Sequence, residues 1–145
     1  MATFVRIFPE ADRASIQRSG IRVTKTKSHQ AAGVFVSPVT ENYVHTHQLM
    51  REVQRVRNVP KLAARIRIPD TQGVRIGKYN ERHIEVAAAE AIAIARIHWD
   101  SRGLEVIIPR GVRATEIIKI YRPPKVVGWR YFPDAHGVRP CRCEM

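Results

Sequence analysis

Cysteine is nearly missing from this chain of 145 residues: there are two, Cys141 and Cys143, with one residue between them. A bridge across that spacing would be strained, because a disulfide fixes both the Cα separation and the dihedral. A disulfide scaffold is therefore excluded, and a reducing compartment is expected. Long apolar runs are missing too; none approaches the roughly 20 residues of a membrane helix. The start, MATFVRIFPEADR, meets Glu10 and Asp12 before any apolar stretch develops, so no secretory leader and a cytoplasmic setting are expected. Internal repeats and low-complexity segments are absent. So are helix-turn-helix, zinc-finger, P-loop and dinucleotide-binding glycine fingerprints. Acidic residues are scarce: 13 Asp+Glu stand against 25 Lys+Arg, giving a net charge of +12.

What is present fits one domain with its own core. Hydrophobic residues make up 44% and charged residues 26%, ordinary globular values. The cations are mostly arginine, 19 Arg against 6 Lys. Such an excess bears on association and not on fold, and it favours a polyanionic partner or substrate without membrane insertion.

The pattern alternates short strands and helices. Phe4 to Phe8 reads as a strand with Phe4, Arg6 and Phe8 on one face and Val5 and Ile7 on the other. A short helix over Ala11 to Ser19 is stopped by Gly20, suited to a left-handed cap. Arg22 to Ala32 is a polar loop, and Val34 to Val36 a buried strand ended by Ser37-Pro38. His45 to Val56 has helical spacing, with Leu49, Val53 and Val56 on one side. In Lys61 to Ile68, Leu62, Ala64, Ile66 and Ile68 face one way, with Ala63, Arg65 and Arg67 opposite. Pro69 to Gly73 turns the chain, so Val74 to Ile76 is expected to pair back as a short strand. Ile84 to Trp99 is Ala-rich and predicts a helix, with Ala88, Ile92 and Ala95 or Arg96 on one stripe. Leu104 to Ile108, Ile117 to Tyr121 and Val126 to Phe132 read as further strands. The fold class is α+β with about six strands, spanning 1–132, followed by a tail over 133–145.

Three polar residues interrupt apolar strands: Arg6, Ser37 and Glu105. Burying a charge without a partner costs several kcal/mol, so each needs a reason. Singly, each is accounted for by solvent exposure or a structural ion pair. Together, on three strand regions, they suggest a cleft.

Gly103-Leu104-Glu105-Val106-Ile107-Ile108-Pro109-Arg110-Gly111 resembles the C-terminal motif of the ADP-ribosyltransferase superfamily, a Glu opening a strand that ends in Pro. The resemblance implies that Glu105 is the catalytic glutamate. It implies that Arg6, on the first strand, contacts NAD, and that Gly33-Val34-Phe35-Val36-Ser37 supplies the middle serine. The element ADRASIQRSGI resembles the helix with Gly-Ile that follows the family's first strand. The order Arg, Ser, Glu fits the Arg-Ser-Glu branch and implies a mostly antiparallel, split, mixed sheet flanked by short helices, with NAD as substrate. Tyr43 is the alternative ring-stacking residue, as in the His-Tyr-Glu branch, although no His lies on the first strand. Gly103 replaces the Glu or Gln that toxin-like members carry two residues before the glutamate, which argues against arginine-directed protein modification. Ser37 runs into Pro38-Val39-Thr40 and not into Ser-Thr-Ser. RNA 2′-phosphotransferases share the fold and the use of NAD.

The chemistry suits these residue types. Cleaving the nicotinamide–ribose bond builds an oxocarbenium-like transition state, which a fixed carboxylate stabilises. An arginine fork grips diphosphate. A serine orients the ribose or supports the glutamate. A basic surface makes nucleic acid the expected acceptor, with an acidic protein second. The alternative is a non-catalytic basic module that binds nucleic acid, with Glu105 and Arg6 paired structurally.

Other residues are expected to play smaller parts. His136, Cys141 and Cys143 would make only three of the four ligands of a structural zinc site, so a frayed tail and no metal are expected. His45 and His47 read as exposed residues near a helix start. His83 and Glu85 are expected to cap or solvate the long helix. Trp129 and Tyr131 are expected to pack, and Arg51, Arg55, Arg65, Arg67, Arg75 and Arg82 form a dispersed basic set.

Overall fold

The first strand, β1 (Ala2–Pro9), alternates as its sequence dictates: Ala2, Phe4 and Phe8 are buried in one core, and Arg6 takes their side of the strand. The computed structural model describes residues 1–23, 32–39, 59–78, 81–97 and 104–123. Within them β1 pairs with β2 (Val34–Pro38) on one side and β3 (Lys61–Ile68) on the other. Leu62, Ala64, Ile66 and Ile68 of β3 are all buried beside Phe4 and Phe8. Full burial of aliphatic and aromatic side chains contributes about 1.5–3 kcal/mol each, which makes this stripe the principal hold on the fold.

Four more strands complete one sheet: β4 (Gly73–Lys78), β5 (Ile84–Ala87), β6 (Leu104–Ile108) and β7 (Ile117–Tyr121). Their order is β5-β4-β6-β2-β1-β3-β7. All six pairings are antiparallel, in line with the mostly antiparallel sheet expected, though no parallel pair mixes into it among the described residues. Among the described residues, two short helices, α1 (Arg13–Ser19) and α2 (Ala88–Ile97), accompany the sheet in an α+β domain. Ile16 of α1 and Ala88 and Ala91 of α2 enter the same core as Phe4. No helix among the described residues is long and apolar enough to cross a membrane.

The middle of the sheet is where β2 changes partner. Val34, Phe35 and Val36 pair with Ile108, Ile107 and Val106 of β6. Ser37 and Pro38 pair with Val5 and Phe4 of β1. The two halves of the sheet therefore share only β2, and they part on either side of it.

Two sequence expectations are corrected here. Val74–Ile76 does not pair back on the strand before it, because both sides of β3 are already taken, by β1 and β7. The turn instead sends β4 to the far half, between β5 and β6. The helix expected from Ile84 begins only at Ala88. Ile84-Glu85-Val86-Ala87 is a strand: its two β-branched residues alternate, and Val86 packs on the core opposite Val74. His83 and Glu85 consequently border and occupy a strand, not a helix cap. The segments His45–Val56 and Val126–Phe132, the residues Tyr43, Trp129, Tyr131, His136, Cys141 and Cys143, and the expected boundary at 132 lie outside the described residues.

Gly20 ends α1 as its sequence predicts, with φ 76° and ψ −163°. The positive φ is as expected, but this ψ lies beyond the usual left-handed cap, in a region open essentially to glycine alone. A Cβ there would stand 2.0 Å from the Val112 carbonyl oxygen.

Candidate functional site

Register lines up the unusual polar residues. Val5 of β1 is opposite Ser37 of β2 on one side and Arg65 of β3 on the other. Arg65 is opposite Lys119 of β7, and Glu105 of β6 is opposite Gly77 of β4. One step beyond the Val36–Val106 pair, Ser37 comes next to Glu105. One step beyond the Ile76–Ile84 pair, His83 comes next to Gly77. Directly opposed residues of antiparallel strands share a face. His83, Gly77, Glu105, Ser37, Val5, Arg65 and Lys119 thus form one row across the sheet, on the face away from Phe4 and Phe8.

Ser37 and Glu105 each stand one residue beyond the last β2–β6 pair, Val36–Val106, where β2 leaves β6 for β1. Arg6 sits on the adjacent strand, one residue past the Val5–Ser37 pair, but it alternates to the opposite face. Its Nη1 donates to the Phe35 carbonyl at 3.0 Å. That carbonyl belongs to the stretch of β2 that has parted from β1, so the guanidinium spans the gap between the two strands. Tyr43 lies outside the described residues.

Glu105 is not out in bulk water; its side chain is 21% exposed, and the neighbouring His83 side chain is 7% exposed. Imidazole Nε2 stands 3.0 Å from Glu105 Oε1. This is ion-pair distance, though off the line of a well-directed hydrogen bond. Imidazole Nδ1 is 2.9 Å from the Glu81 carbonyl oxygen. A carbonyl cannot donate, so Nδ1 carries a hydrogen. Nε2 is then the ring nitrogen turned toward the carboxylate.

Sequence reasoning missed His83. Its contact with Glu105 arises across three strands, and the only local signal was Gly77. A Cβ there would stand 2.9 Å from His83 Cγ and 3.0 Å from the Arg82 carbonyl oxygen. The missing side chain lets the ring lean across the row.

Cations flank the far end of the row. The Arg65 guanidinium carbon is 6.0 Å, and Lys119 Nζ 5.5 Å, from the centre of the Tyr121 ring. Such contacts hold charge over an aromatic face. On β4, Arg75 is directly opposite Glu85. A cavity of about 420 Å³ opens near the start of β1, against Thr3, Val39, Arg65, Ile92 and Arg96. Arg6, Ser37 and Glu105 do not line it; of the row, Arg65 does.

A different glutamate anchors the corner after β6. Arg110 Nη1 donates to Glu116 Oε1 at 2.7 Å and Nη2 to Oε2 at 2.8 Å. The Arg113 backbone N–H adds a third bond to Oε1 at 3.0 Å. The Arg110 hydrogen bonds hold the Glu116 carboxyl below its ordinary range, and the same bonds raise Arg110. Arg110 Nε also donates to Gln72 Oε1 at 3.0 Å, tying this corner to the turn before β4.

No family model, no curated protein and no solved structure matches the chain.

Proposed function

We propose that the chain is an NAD-consuming transferase of the ADP-ribosyltransferase type, moving ADP-ribose to a nucleic acid acceptor or removing a 2′-phosphate with NAD. The observation that carries this reading is the shielded Glu105 carboxylate beside Ser37, at the point where the sheet parts. In the reaction, the nicotinamide–ribose C–N bond breaks and its electron pair leaves with nicotinamide. An acceptor oxygen forms the new bond to the ribose carbon and gives up its proton. Glu105 stabilises the positive charge that develops on the sugar, an electrostatic contribution that grows as water is excluded. Ser37 orients the ribose. Arg6 faces the other side of the sheet and donates to the Phe35 carbonyl, so it takes no part in this site.

The test is nicotinamide release from NAD by the wild type and by Glu105→Gln. The variant keeps the shape and removes the charge. Turnover is expected to fall by about a hundredfold or more, the usual cost of a preorganised electrostatic group. Undiminished turnover rejects the assignment.

A second reading rests on a different observation. Arg65 and Lys119 over Tyr121 offer charge and an aromatic plane together, as nucleic-acid binders do. A non-catalytic basic module would bind nucleic acid with strong salt dependence and release no nicotinamide.

A further inference from the structure

We infer that His83 is the positioning residue of Glu105: its imidazole fixes Oε1, and so the direction of the carboxylate, from a place that Gly77 leaves open. The inference rests on the transferase reading above and adds a residue to that site.

Three observations build it. First, the β4–β5 turn delivers the ring. The Glu81 backbone N–H donates to the Lys78 carbonyl at 2.9 Å, closing the turn, and the Glu81 carbonyl then accepts from His83 Nδ1. With Nδ1 committed, Nε2 is the atom that meets Glu105, at 3.0 Å. Second, the ring is more shielded than the carboxylate it touches, 7% against 21% exposed, so it stands behind the acid and not in front of it. A ring in that place orients the carboxylate without touching substrate. Third, Gly77 is the residue directly opposite Glu105. Any side chain there would enter the space of the ring, whose Cγ and Cα would lie 2.9 and 3.0 Å from the new Cβ. Side chains two strands apart normally cannot meet; here the intervening position is empty.

A carboxylate that swings loses alignment with a developing charge, and small misplacements of catalytic groups cost up to roughly a hundredfold in rate. His83→Ala is therefore expected to lower kcat for nicotinamide release about tenfold or more, with the KM for NAD within about twofold. His83→Gln places an amide N–H near the position of Nε2 and is expected to recover kcat to within a few-fold of wild type. Gly77→Ala crowds both the ring and the Arg82–His83 backbone, and should reproduce the His83→Ala pattern while His83 and Glu105 stay in place in the sequence. Imidazole 15N resonances give a readout independent of turnover: Glu105→Gln should move the His83 Nε2 signal and leave Nδ1 in place. Wild-type kcat in His83→Ala overturns the inference. So does a folded His83→Gln as slow as His83→Ala, or an Nε2 signal indifferent to Glu105→Gln. A wild type that releases no nicotinamide overturns instead the functional reading on which the inference stands.

Discussion

Glu105 and Glu116 lie close in sequence, yet their surroundings are opposed. Glu116 receives two parallel bonds from one guanidinium and a third from a backbone N–H. Its charge is held in place by a guanidinium that stays charged and by a backbone N–H, and its carboxyl lies below the ordinary range because of them. Glu105 stands in an apolar strand against an imidazole, with Nε2 3.0 Å from Oε1. A carboxylate met by a bidentate guanidinium is a fastener. On the transferase reading, the Glu105 carboxylate is the working group of the site.

The sharpest way to break this contrast is to remove each charge in turn and measure stability. Glu116→Gln loses one member of a charge-assisted, mostly shielded pair, which costs about 2 kcal/mol. For a domain of this size that is a fall in Tm of roughly 6 °C by calorimetry. Glu105→Gln should leave Tm nearly unchanged. The opposite ranking would reverse the two roles.

Acid titration sharpens the same contrast. The Glu116 carboxyl is depressed in the folded state from an ordinary 4.5. A depressed carboxyl contributes stability that is present above that ordinary value and is lost as pH falls through the folded one. Urea unfolding should therefore show the gap between wild type and Glu116→Gln closing below about pH 4.5. A gap that persists at lower pH contradicts the assignment of Glu116 as fastener.

The smallest effect belongs to the cations at the far end of the row. Arg65→Ala and Lys119→Ala should each weaken binding of single-stranded RNA only a few-fold. Each should also lower the slope of log affinity against log salt by about 0.7. Unchanged slopes would place nucleic acid elsewhere on the surface.

Part of this contrast was legible in the sequence. Glu105 announces itself as the only charge in Leu104-Glu105-Val106-Ile107-Ile108, and β1 and β3 carry their alternation openly. Ser37 was visible as the end of an apolar run. What local pattern could not carry was partner choice. The placement of β4 between β5 and β6, and the switch of β2 between two neighbours, are long-range pairings. The Ala-rich stretch from Ala87 onward drew the expected helix back over Ile84-Glu85-Val86, whose strand character depends on β4 being alongside. His83 was hidden for the same reason. Its role exists only once the β4–β5 register sets it across a glycine from Glu105. Arg6 shows the converse: its anomaly was plain, but its partner, the Phe35 carbonyl, appears only where the strands separate.

The most direct test is nicotinamide release from NAD by Glu105→Gln and Glu116→Gln side by side, at a temperature where both are fully folded. The account predicts that the first loses about a hundredfold or more of wild-type turnover while the second keeps it. Equal turnover in the two variants, whether high or low, would contradict it.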